Sequence, residues 1–235
     1  MPLGTRYLLI VLLGYAGASA ALAPASAQVA GTHGYLVLRG GTPIGTMEVS
    51  LSRDQRGWRV QSTGDAPGAR AVGVRQFDAR YDGDWQGRAL TVERLTRGSA
   101  TVVHVAVGAA TAHTDIVTGS EARWRSHSVS PDVVFLPEHA YGAFTAVAAR
   151  LHAAGQRAEI PLLFPPDGEQ RAIVDGWERM TVQMRGGGPL TVSRHTLTIV
   201  GPSPWQVHVW EAAGQLVRVD LPRDQISVIR SDVLP

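Results

Sequence analysis

The residues able to do acid–base or metal chemistry are scattered along the chain. The eight histidines are His33, His104, His113, His127, His139, His152, His195 and His208. No pair forms the His-Glu-x-x-His spacing that puts two imidazoles on one helix face toward zinc. His139 and His152 stand too far apart in one segment to share an ion, while His104 and His113 could meet across a hairpin. Serine chemistry is no better supported. There is no Gly-x-Ser-x-Gly elbow, and Gly98-Ser99 and Gly119-Ser120 read as turns, where a serine hydroxyl bonds local backbone. Asp82-Gly83-Asp84 has too few oxygen ligands in series for a calcium loop and also reads as a turn. Gly186-Gly187-Gly188 lacks the strand-then-helix setting of a phosphate cradle.

Missing residue types exclude more. The chain contains no lysine, so all 22 basic residues are arginine. Schiff-base, phosphate-loop and Ser-Lys chemistry are therefore excluded. With no cysteine there is no thiol nucleophile, thiolate metal site or disulfide. With no asparagine there is no N-glycosylation acceptor. The formal net charge of +2 is too small to argue for nucleic acid. Arginines do flank tryptophans at Arg56-Gly57-Trp58-Arg59 and Arg123-Trp124-Arg125. Strand alternation predicts Trp inward and Arg outward there, with an Arg-lined mouth for an anionic head group as the alternative.

The elements that must position these groups are mostly strands. Residues 1–27 read as a secretory signal peptide: Arg6, then the apolar Leu8 to Leu13, then Ala25-Ser26-Ala27 before Gln28. That apolar centre is too short to span a bilayer, which takes about 20 residues. The expected location is the periplasm or the extracellular space. Residues 28–235 read as one domain. Short alternating runs broken by Gly and Pro predict strands at 33–39, 44–51, 58–62, 72–81, 89–95, 100–107, 110–117 and 122–128. Further strands are expected at 157–163, 169–174, 179–184, 190–200, 205–211, 215–221 and 226–230. Ala212-Ala213-Gly214 reads as a three-residue hairpin loop. A single helix is expected over Pro137–Ala154, from Pro137 and Glu138 at its start and Phe144, Val147 and Leu151 at helical spacing. The fold expected is mainly β: a curled antiparallel sheet, a half-barrel or β-clam, packed around one α-helix.

Three stretches carry a resemblance. They are Gly34-Tyr35-Leu36-Val37 with Pro43-Ile44-Gly45-Thr46, then Phe135-Leu136-Pro137 leading into the helix, and Val209 to Val219 with Ile229-Arg230-Ser231-Asp232. In these the chain resembles uncharacterised exported bacterial proteins of the domain-of-unknown-function kind. It is also similar to the lipoprotein-carrier and sigma-regulator sensor folds, in which a curled antiparallel sheet wraps helices over an apolar cavity. It departs from the carriers in having one helix instead of several. The resemblance brings no catalytic residues.

Together these readings favour a non-catalytic envelope protein that binds an apolar or lipid-like small molecule between sheet and helix. Trp124, Phe135, Phe144 and Val147 are the candidate ligand-binding residues, and no cofactor or metal is expected. An interaction module presenting a sheet face to an envelope protein is the alternative. A hydrolase built on scattered His, Asp and Ser finds no support in their spacing.

Overall fold

The computed structural model describes residues 28–64, 72–96, 99–154 and 159–233. The signal-peptide reading of residues 1–27 lies outside them. Of the described residues 69% are strand, and they form fifteen strands in one sheet that is mostly antiparallel and not closed. The first run is β1 (Gly31–Arg39), β2 (Thr42–Asp54), β3 (Gly57–Gly64), β4 (Val72–Tyr81), β5 (Gly87–Thr96), β6 (Ser99–Val107), β7 (Thr111–Thr118) and β8 (Glu121–Ser128). After β9 (Val134–Phe135) come a 3-10 turn, Tyr141–Ala143, and α1, Phe144–Ala154. The second run is β10 (Glu159–Phe164), β11 (Gly168–Gln183), β12 (Pro189–Val200), β13 (Trp205–Ala212), β14 (Gln215–Leu221) and β15 (Ile226–Arg230). Each run is a meander, and β1 paired with β15 joins them, so β8 and β9 are the two edges of the sheet. β9 pairs with β10 in parallel.

Alternation divides each strand between the two faces of the sheet. One face carries the main core, with Val37, Val60, Phe77, Val92, Ile199, Val209, Val219 and Val228 all buried. The opposite face carries a smaller core over β1, β14 and β15: Leu38, Val217 and Ile229. Met180, Val182, Leu190 and Val192, from the far half of the β11–β12 hairpin, pack on this second cluster. Arg185 N–H donates to the Asp232 carbonyl and pins that hairpin to the chain's last described turn.

The helix covers the main face. Phe144 to Ala149 and Leu151 are all buried, so nearly every side of α1 meets protein. Its three buried alanines, Ala146, Ala148 and Ala149, allow close approach to the strands. It starts later than the expected Pro137. Pro137 to Ala140 instead form a turn, in which Ala140 N–H donates to the Pro137 carbonyl and His139 takes φ 62°, a left-handed conformation that a helix cannot include.

Two strand expectations also change. The runs 169–174 and 179–184 are one strand, β11, because a bulge between Val174 and Gly176 shifts register without ending pairing. The β13–β14 loop has two residues, with Ala212 paired to Gln215 and positive φ at both Ala213 and Gly214. This is the primed turn whose twist matches the flanking strands.

The segment between β8 and β9 bonds to a strand of each run. Ser130 donates through its backbone N–H and its hydroxyl to the Glu169 carboxylate. Gly87 N–H donates to the Val133 carbonyl at 2.7 Å. Gly57 has φ 129°, and a β-carbon there would lie 2.2 Å from the Tyr81 carbonyl oxygen. Gly57→Ala is expected to lower stability by at least about 1–3 kcal/mol, the usual size of such backbone strain. Urea unfolding at neutral pH measures it, and an unchanged midpoint would contradict this account of the β2–β3 corner.

Candidate functional site

Three of the four candidate residues come together. Phe135, Phe144 and Val147 belong to one continuous core, with Phe135 packed on Tyr81 at 5.6 Å between ring centroids. They fill the space between sheet and helix with protein, so the middle of the interior is packed.

Trp124 is elsewhere. It lies on β8 and is 76% exposed. The Trp-inward expectation is inverted here, because Arg125 pairs with buried Thr114 and His127 with buried Ala112, whereas Trp124 pairs with exposed Asp115. Directly paired residues share a face, so β7 puts the arginines of β8 on the core side. β8 is the sheet edge, where long arginine side chains can run along apolar surface and return their charge to water. At the other motif Trp58 does point in. It stacks on Trp85 at 5.1 Å, and the guanidinium over it belongs to Arg53. Arg59 pairs instead with Asp78.

Open space lies at the two ends of α1. At its N-terminal end is a pocket of about 480 Å³. Leu136, Phe144, Phe164, Trp205 and Leu221 supply apolar wall, and Arg94, Glu138, Asp167, Arg223 and Asp224 supply charge. Of the four expected residues only Phe144 lines it. Arg94 extends from β5 on the same face as buried Leu90 and Val92. Its Nε and Nη2 are enclosed and have no hydrogen-bond partner. Desolvation lowers its pKa, partly offset by the fields of Glu138 and Asp167. Asp167 and Asp224 are exposed, so the negative charge is at the rim and the enclosed charge is positive.

A second pocket, about 430 Å³, lies at the C-terminal end of α1 among Gln28, Trp58, Trp85, Arg150, His152 and Gly214. Beneath it is a polar cluster that sequence spacing had missed. Glu211 on β13 is 3% exposed and faces the helix. Its Oε2 accepts the Gly214 N–H at 2.7 Å and lies 3.2 Å from Nδ1 of His152. His195 of β12, also buried, has Nε2 3.8 Å from Oε1, beyond hydrogen-bond range. Burial raises the Glu211 pKa, but contacts to His195, Gly214 and His152 outweigh it and leave the carboxyl below the ordinary glutamate range. The three groups come from α1, β12 and β13, so no local motif could announce them.

The remaining histidine readings resolve simply. His104 bonds Thr91 and His113 bonds Ser126, with no facing pair between them. Asp82 Oδ1 accepts the N–H groups of Asp84 and Gln86, the expected turn. Among the described residues, no group of three His, Asp or Glu has an arrangement that could hold a metal ion. Among them also, no helix is long and apolar enough to cross a membrane.

No family model matches the chain, and no curated protein matches it. A solved structure, that of a DUF1089 family protein from Pseudomonas aeruginosa, is similar along most of both chains. The alignment covers 94% of this chain and 98% of that one, at 14% identity and a TM-score of 0.40.

Glu211 gives the site a pH dependence. A carboxyl whose folded pKa is lowered contributes stability that is fully present above its unfolded value, near 4.3, and is lost as pH falls through the folded value. Glu211→Gln is therefore expected to cost about 1.5–3 kcal/mol at pH 7, the scale of hydrogen bonds to a charged group. The gap from wild type should close as pH falls below about 4. Urea titrations of both proteins at pH 7, 5 and 3 test this, and a gap that does not change with pH would refute it.

Proposed function

We propose that this is an exported, non-catalytic envelope protein that binds an amphiphilic, lipid-like molecule between sheet and helix, at the N-terminal end of α1. The observation that carries this reading is the 480 Å³ pocket, in which Phe144, Phe164, Trp205 and Leu221 stand beside polar and charged side chains and the enclosed charge is Arg94. Its volume lies in the range of about 300–1,000 Å³ used by small-molecule sites. In this reading the sheet is a half-barrel curled around the helix, supported by the contacts of Ser130 with Glu169 and Gly87 with Val133. Export is supported by the order of charge, apolar centre and small residues before Gln28.

A second reading, an interaction module of the envelope, is favoured by Trp124, a large apolar side chain left in solvent on the edge strand. Trp124→Ser should leave stability within about 0.5 kcal/mol, as exposed positions do. If this reading holds, the variant loses crosslinks to envelope proteins in intact cells. Unchanged crosslinking would dismiss it.

The ligand itself can be sought directly. Native mass spectrometry of the protein purified gently from its own envelope fraction should show an added small mass that leaves on denaturation. The denatured mass should equal residues 28–235. A bare native mass would count against the ligand, and an uncut mass against export. Substitution at Phe135 or Phe144 is a poor test, since removing a buried ring costs about 3–5 kcal/mol and confuses folding with binding.

A further inference from the structure

We infer that the pocket at the N-terminal end of α1 takes its ligand head-first, with Arg94 reading an anionic carboxylate that carries an alkyl chain. This rests on the proposal that the pocket is an amphiphile site, and it specifies the head group.

Arg94 is placed by β5, where register pairs it with Val74 on one side and Thr101 on the other. Neither partner can neutralise a guanidinium. Nε and Nη2 are shut off from water without any acceptor. Enclosed donors that lack acceptors are costly and rare in folded proteins. A carboxylate is the group whose two oxygens match the guanidinium fork, and such paired bonds are among the strongest in proteins. Burial disfavours the charged form of Arg94, so a bound anion relieves a strain already present.

The surroundings fix the rest of the ligand. Phe144, Phe164, Trp205 and Leu221 offer wall to an alkyl chain beside the head group. Glu138, Asp167 and Asp224 also line the pocket and oppose an anion, against one exposed cation at the rim, Arg223. The Glu138 side chain is 72% exposed, and Asp167 and Asp224 are exposed as well, so water and salt screen them far more than they screen Arg94. The same rim disfavours small free anions, which gain nothing from the apolar wall. A chain-bearing carboxylate gains both contacts.

Isothermal titration of the full mature chain with decanoate, decanol and acetate tests this. Decanoate is expected to bind one to one, at least ten-fold tighter than decanol, with acetate weaker still. In Arg94→Met, decanoate should fall to the decanol level while decanol is unchanged, and Arg94→Lys should restore part of the gap. Equal binding of decanoate and decanol to the wild type overturns the head-group assignment and leaves the amphiphile site standing. Acetate binding as tightly as decanoate overturns the alkyl part. Absence of binding by all three removes the amphiphile site and this inference with it. If Arg94→Met fails to fold, shown by circular dichroism, the wild-type gap between decanoate and decanol decides alone.

Discussion

Fifteen strands in one sheet create a large apolar face, and that face must be covered for the chain to fold. The cover is α1, together with the segment that leads into it. The helix and the 3-10 turn before it can serve because Ala143, Ala146, Ala148 and Ala149 let them settle close to the strands while Phe144, Val147 and Leu151 fill the gaps between them. Val133, Val134, Phe135 and Leu136 extend the cover beyond the helix, all of them buried. The main core thus draws on every strand from β1 to β7 and from β9 to β15. Without disulfides or any metal ligand of cysteine, burial of this kind is the main source of stability.

Filling the interior has a chemical consequence. A packed core excludes polar groups unless they are partnered, so charge collects at the two ends of α1. At one end Glu211 is satisfied by the Gly214 N–H and by His152, and it ties the helix to the β13–β14 turn. At the other end Arg94 stays without an acceptor. The contrast is what separates a structural polar cluster from a candidate binding site. Both groups are inward-facing side chains of strands, but Oε2 of Glu211 has the Gly214 N–H and His152 beside it, whereas Nε and Nη2 of Arg94 have no acceptor.

The open edges of the sheet follow a related logic. An edge strand offers free backbone groups to other chains, and charged side chains placed toward the core side discourage such pairing. β8 carries Arg123, Arg125 and His127 on that side, next to buried Thr114 and Ala112. β9 has only two residues, both buried. The exposed Trp124 is on the opposite face of β8, so the edge itself remains guarded by arginine.

By itself the sequence determined the strand-rich class, most strand positions, the single helix and the absence of lysine and cysteine chemistry. These are local or compositional properties: alternation with period two, apolar spacing at 3.6, and Gly or Pro at turns. Phe144 could be placed on the helix because Val147 and Leu151 follow it at helical spacing, although the helix was expected to start at Pro137. Tertiary structure alone decided five other matters. β9 is too short to show a period, and it exists only because β10 pairs with it. β11 continues through Asp175-Gly176 because β12 follows it across the bulge. Trp124 turned outward because β7 dictates the faces of β8, and an alternating run read alone cannot say which of its faces is buried. Glu211, His152 and His195 met because a helix and two strands converge, and Arg94 acquired its pocket from segments far along the chain. Spacing records neighbours along one element, whereas a site is made of neighbours across several, and only packing sets those distances.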